Sequence, residues 1–168
     1  QPMQQSKYDF DIEQHRDTLV AFLKELIALP ERPKGKAYSS LLFKHARPDG
    51  GLYSRAQLIQ AYRELAGTNG LPPYDERQLN KLRRKPMRTI SGVTPVTVLT
   101  KPFPCPGECI FCPNDVRMPK SYLSDEPGAQ RAENNSFDPY QKNYSRLQTY
   151  YNLAHPTDKI EVIILGGM

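Results

Sequence analysis

Tryptophan is absent from the 168 residues, and all three cysteines fall within one stretch, Cys105 to Cys112. Each scarcity excludes something. Three crowded cysteines cannot build a disulfide framework, so a small secreted scaffold is excluded and a reducing, cytoplasmic setting is expected. No run of about eighteen apolar residues occurs, which leaves no hydrophobic membrane span and no membrane partner. The opening Gln1-Pro2-Met3-Gln4-Gln5 lacks the basic-then-apolar layout of a secretory signal. What is abundant is proline, 16 residues, roughly double the usual share and gathered in connectors. Hydrophobic residues make up 38%, enough for a modest core, and the net charge of +5 permits a polyanionic partner without demanding one.

The first half of the chain carries helical periodicity. Phe10, Ile12, Leu19, Phe22, Leu23, Leu26 and Ile27 recur at helical spacing, which predicts an amphipathic helix from Lys7 to Leu29, stopped at Pro30. A short helix is expected over 37–46. Ser54 and Gln57 form a capping-box pair ahead of Leu58, Ile59, Tyr62 and Leu65, and Gly67 stands where that helix would end. Asp75 is positioned to cap a third, strongly basic helix ending before Pro86.

The pattern changes after Gly92. Val93, Val96, Val98 and Leu99 interleave with threonine as a strand, the cysteine loop follows, and 113–138 reads as irregular. A helix is expected from Pro139 to Ala154 with Tyr140, Tyr144, Leu147 and Tyr151 on one packing face. Ile160 to Leu165 is nearly continuous apolar and β-branched, the mark of a strand covered on both faces. Strand, loop, helix, strand is a βαβ unit with a parallel sheet. The expected class is therefore α/β: a small helical, basic domain over 1–90, then over 91–168 the first βαβ unit of a truncated (β/α) barrel whose remaining strands lie outside the chain.

Cys105-x3-Cys109-x2-Cys112 sits directly after the first strand. Thiolates are soft ligands suited to iron–sulfur clusters or zinc. Structural zinc takes four closed ligands, and the nearest candidate fourth, His155, lies far downstream of the last cysteine. A [4Fe–4S] cluster held by three cysteines keeps one iron open, a deficiency in an electron carrier but useful for binding a molecule at iron. A zinc site completed from elsewhere and three incidental core cysteines are the alternatives. Gly166-Gly167, at the carboxyl end of the second strand, gives backbone an unobstructed approach to a ligand such as an amino-acid moiety, or simply makes a turn.

Together these features resemble the radical S-adenosylmethionine (SAM) superfamily, with CxxxCxxC after strand one and a glycine motif after strand two. The runs Arg88–Val93, Thr97–Pro106, Pro119–Ala132, Phe137–Tyr140 and His155–Glu161 resemble more specifically the Elongator catalytic subunit family. The resemblance implies a radical-SAM tRNA-modifying enzyme acting on the wobble uridine with SAM and acetyl-CoA. It implies a [4Fe–4S] cluster on Cys105, Cys109 and Cys112 and SAM beside Gly166 and Gly167. The acetyl-CoA would be bound by an acyltransferase domain outside this chain, and the partners would be tRNA and Elongator-like subunits or a second copy. Asn114-Asp115 departs from the Gly-Gly of many relatives, which leaves the ligands intact and affects only local loop contacts. No catalytic side chain is assigned.

Arg77, Lys81, Arg83, Arg84, Lys85 and Arg88 form a basic segment opposed only by Asp75 and Glu76. On a helix, Arg77, Lys81 and Arg84 or Lys85 share one side, which by charge alone fits an ordinary solvated face. The resemblance to a tRNA enzyme favours a phosphate-binding strip instead. Arg32, Lys34, Lys36 and Lys44 extend it. Lys120, Tyr122 and Arg131 are candidates to line the substrate side of the cysteine loop, and Arg131 equally to pair with Asp125 or Glu126. The readings to separate from the enzyme are a non-catalytic tRNA-binding module and a zinc-stabilised nucleic-acid adaptor.

Overall fold

A computed structural model describes residues 10–84, 90–107, 109–113 and 115–166. These divide into two compact units: the described part of Gln1–Met87 together with Asn152–His155, and the described part of Arg88–Tyr151 together with Pro156–Met168.

The first unit is helical. A 3-10 turn, Glu13–His15, leads into α1 (Arg16–Ala28), followed by α2 (Gly35–Lys44), α3 (Arg55–Leu65) and α4 (Glu76–Leu82). The apolar periodicity read from the sequence becomes the buried stripe of α1: Leu19, Phe22, Leu23 and Leu26 are inaccessible. They pack with Leu58, Ile59, Tyr62 and Leu65 of α3 and Leu79 and Leu82 of α4. Each such side chain contributes about 1.5–3 kcal/mol by leaving water.

The ends of these helices follow from named side chains. Ser54 Oγ accepts from Gln57 N at 3.2 Å while Gln57 Oε1 accepts from Ser54 N at 2.8 Å, the reciprocal cap expected. Asp75 Oδ1 accepts from Arg77 N at 2.8 Å and starts α4. That bond, aided by the Arg77 guanidinium, holds the Asp75 carboxyl below its ordinary range. After α3, Gly67 adopts φ +79°, a left-handed turn that a Cβ would oppose.

The second unit contains β1 (Thr94–Leu99), α5 (Pro127–Glu133), α6 (Pro139–Asn152) and β2 (Ile160–Leu165). The strands pair in parallel from Thr94 opposite Ile160 to Leu99 opposite Leu165, so the expected βαβ connection is present. The fold is mixed helix and strand with a two-stranded parallel sheet. A small apolar core gathers Leu99, Met118, Ala129 and Ala132.

Three expectations are corrected. The stretch taken as irregular contains α5, whose seven residues are too few to show helical periodicity but whose Pro127 occupies the first turn, where its missing N–H costs nothing. On α6, Tyr140, Tyr144 and Tyr151 face solvent, and the buried positions are Lys142 and Tyr150. Tyr140 stacks on Tyr144 at 6.3 Å instead of packing inward. The sheet side is taken by the spacing of 142, 146 and 150, with the Tyr150 hydroxyl donating to the Pro95 carbonyl at 3.3 Å. Finally, β2 is exposed from Ile160 to Ile164, Val162 by 51% and Ile164 by 72%, and only Leu165 packs against the core. A two-stranded sheet cannot cover a strand that composition fits for burial on both faces.

Candidate metal centre

Each cysteine lies on the segment that follows β1, at the carboxyl end of the strand. Prolines at 102, 104, 106 and 113 restrict that segment, and Gly107 sits among the sulfurs. A Cβ at Gly107 would stand 3.4 Å from Cys105 Sγ and 3.8 Å from Cys109 Sγ. The Gly107 amide donates toward Cys105 Sγ at 3.4 Å. Cys112 N donates to the Cys109 carbonyl at 3.1 Å, closing a turn that places the last two thiols on one short reversal. Cys109 is exposed and the other two are half-buried; all three are free thiols.

Ser121 is a residue the sequence reading missed. Its Oγ lies 3.3 Å from Cys112 Sγ, and its backbone holds φ +75°, a left-handed conformation unfavourable for a residue with a Cβ. Strain of this kind is invisible in sequence. Asp115, beside Cys112, is fully engaged: Arg117 donates from Nε at 3.1 Å and from a terminal nitrogen at 2.9 Å, and these bonds hold the carboxyl below its ordinary range. These contacts tie Asp115 to Arg117 within the loop.

The donor set fits an iron–sulfur cluster. Among the described residues, no three of His, Cys, Asp or Glu converge on a point that would hold a single ion. The fit rests on donor chemistry alone: a cubane takes one thiolate per iron, and the loop carries three cysteines. An amide and a hydroxyl directed at two of the sulfurs are the kind of neighbours that tune such sites. His155, the alternative zinc ligand, is buried.

A cavity of about 410 Å³ opens beside Cys105, lined by Phe103, Asp115, Val116, Met118 and Lys120 among others. Lys120 thus shares a cavity with a cysteine. Tyr122 does not line it; the ring packs half-buried against the Leu99–Met118 core. Arg131 lies on α5 in a different cavity, with Lys142 and Arg146. Gly166 follows β2, and a Cβ there would meet Thr100 Oγ1 at 2.6 Å, so a larger residue would force the Thr100 side chain to shift, and this close approach accounts for a glycine without any ligand. Gly167 lies outside the described residues.

The basic segment is only partly a strip. Arg77 is exposed and pairs with Asp75 at 3.2 Å, and Arg84 is exposed. Lys81 is corrected. It turns inward and donates to the carbonyls of Leu26, Ile27 and Leu29 at 3.3, 3.1 and 2.6 Å, satisfying the end of α1 where Pro30 stops the ladder. Burial pushes its ammonium below the ordinary lysine range. Arg83 is also mostly covered and pairs with Glu76 at 2.8 Å. Lys85 and Arg88 lie outside the described residues. An open groove of about 860 Å³ runs between the end of α1 and α4, lined by Arg32, Arg77 and Arg83 with Asp75, and Arg83 is paired with Glu76. Beside it Arg32 Nε, Gln78 Oε1, Asn80 Oδ1 and Arg83 Nε are buried without hydrogen-bond partners among the described residues.

No family model matches the chain. Curated proteins do. It is 49% identical over 84 residues to the tRNA uridine(34) acetyltransferase of Dehalococcoides mccartyi, covering 50% of this chain and 18% of that protein. It is 48% identical over 92 residues to the same-named protein of Methanocaldococcus jannaschii, 51% of this chain and 17% of that protein. It is 30% identical over 161 residues to Elongator complex protein 3 of Mus musculus, 89% of this chain and 28% of that protein. The chain thus spans 17% to 28% of the length of the curated relatives it matches.

Proposed function

We propose that this chain, which belongs to the Elongator catalytic subunit family by its matches to tRNA uridine(34) acetyltransferases over about half its length and to Elongator complex protein 3 over 89% of it, is the amino-terminal part of a radical-SAM enzyme that modifies the wobble uridine of tRNA. The observation that carries the reading is the placement of Cys105, Cys109 and Cys112 on one loop at the carboxyl end of β1, beside a parallel β2. That end of a parallel sheet is where α/β folds bind ligands.

In this reading, residues 1–90 are a tRNA-binding domain and 91–168 open a (β/α) barrel. The exposed apolar β2 supports the barrel, since further strands would cover it. Cys105, Cys109 and Cys112 would hold a [4Fe–4S] cluster, which when bound supplies the electron for reductive SAM cleavage. The chain's own residues prepare that place. Gly107 keeps the space between two thiolates free of a side chain, its amide faces Cys105 Sγ, and Ser121 fixes the Cys112 side. Gly166 and Gly167 would border the SAM amino-acid moiety. Lys120, in the cavity beside Cys105, carries a positive charge toward an anionic substrate group.

Arg77 and Arg84, with Lys85 and Arg88 continuing the segment and Arg32 across the groove, supply the phosphate-binding charge. Acetyl-CoA would be held by a domain outside these residues, and the setting is cytoplasmic. Among the described residues no helix is long and apolar enough to cross a membrane. The test is paired. The intact, anaerobically reconstituted protein should cleave SAM to 5′-deoxyadenosine and lose that activity with Cys109→Ala, while Arg77→Glu with Arg84→Glu should weaken tRNA binding and leave the cluster in place. Full SAM cleavage by Cys109→Ala would defeat the reading.

A further inference from the structure

One cluster of charged side chains has no place in this function. Under α6, on the Pro95–Thr97 face of β1, an enclosed cavity of about 210 Å³ is lined by Arg131, Lys142 and Arg146 together with Thr97, Ser145 and Thr149. Three cations and several hydroxyls converge there, and no carboxylate is in the lining.

Lys142 is the group that needs explaining. Its side chain is only 3% exposed, yet among the described residues its ammonium makes one long hydrogen bond, 3.4 Å to the Gly128 carbonyl. An ammonium has three N–H donors. A buried charge without a counter-charge is costly, and proteins ordinarily pair such groups. Arg146, one turn along the same helix, uses one guanidinium nitrogen on the Tyr150 hydroxyl at 2.8 Å and stacks over that ring at 4.3 Å. That contact fixes the guanidinium without neutralising it. The hydroxyl protons of Ser145 and Thr149 are directed at Lys142 O or Asn135 Oδ1 and at Ser145 O, so the lysine and arginine are the donors free to meet a ligand.

We infer that this cavity is a binding site for a phosphate group, with Lys142 and Arg146 as its principal donors and Arg131 adding charge at its edge. A tetrahedral oxyanion supplies the counter-charge, since no carboxylate lines the cavity, and offers several acceptors to these cations. The cavity admits one such group and is too small for a nucleotide as a whole. The phosphate therefore arrives either free or as the projecting part of a larger molecule such as an RNA. The inference stands independently of the cysteine loop and of the groove along α4, and does not need either to function.

The experiment is calorimetric titration of the intact protein with inorganic phosphate, against chloride at constant ionic strength. Wild type should bind saturably with a stoichiometry of about one. Lys142→Gln should weaken binding by about tenfold to a hundredfold, the loss of one charge-assisted contact, while Lys159→Gln, on an exposed turn, should not. A second measurement needs no variant: phosphate should protect Lys142 of the wild type from an amine-reactive ester, read by peptide mass spectrometry. Displacement of phosphate by an RNA oligomer without terminal phosphates would identify the source as a backbone diester; displacement only by a nucleoside 5′-monophosphate would identify a terminal or free phosphate. No saturable phosphate heat, equal affinity in Lys142→Gln, or unprotected Lys142 at saturating phosphate would each overturn the site.

Discussion

Lys142→Met should stabilise the protein in phosphate-free buffer below about pH 8, and the effect should fade at higher pH. Burial, with the Arg131 charge adding to it, lowers the Lys142 ammonium from the ordinary value of 10.5 to about 8. The unfolded chain keeps this proton to about pH 10.5, while the native state releases it near 8. Between those values the unfolded state binds more protons, so wild-type stability rises with pH across the window. Below it both states are protonated and the native state carries the whole penalty. A depression of this size corresponds to about 3 kcal/mol. Methionine fills a similar volume without the charge, and the forfeited bond to Gly128 is long, so a net gain of about 1–3 kcal/mol is expected. Urea unfolding at about pH 6.5 and about pH 10 reads it, with the wild-type-minus-variant difference cancelling all other titrations. The variant should lead at the lower pH and lose most of that lead at the higher. A variant less stable than wild type at pH 6.5, or a difference that does not move with pH, would refute the reasoning.

Other outcomes follow from single contacts. Lys81→Met should cost about 2–3 kcal/mol by leaving the terminal carbonyls of α1 without their donor, seen as a lower urea midpoint with unchanged slope. Ser54→Ala should cost about 1 kcal/mol through the lost cap, measured the same way. Gly166→Ala places a Cβ 2.6 Å from Thr100 Oγ1 and should raise amide exchange at Thr100, whose N–H bonds the Leu165 carbonyl; unchanged protection there would contradict it. Arg77→Glu with Arg84→Glu should weaken RNA binding about tenfold and reduce the dependence on salt, whereas an unchanged salt slope would show that α4 is not the contact.

The parts of the fold legible in the sequence are those with local causes. The α1 stripe, the Ser54–Gln57 cap, the Asp75 cap, the Gly67 turn and both strands each rest on periodicity or a short-range hydrogen bond, and each stands in the structure. The misses have non-local causes. Lys81 looked like one tooth of a basic strip because charge spacing does not reveal that the end of α1 lies within reach. Tyrosine spacing on α6 gave the wrong face because the sheet selected Lys142 and Tyr150, a polar stripe that hydrophobicity cannot flag. The position of the three cysteines directly after β1 was readable from the sequence. Ser121, nine residues beyond Cys112 and in a left-handed conformation, was not.

The most direct test of the account is the metal content of the intact protein purified and reconstituted without oxygen. The account predicts about four irons and four sulfides per chain with broad visible absorbance, and loss of both when Cys109 is changed to alanine. Stoichiometric zinc without iron, or an iron content untouched by that substitution, would contradict it.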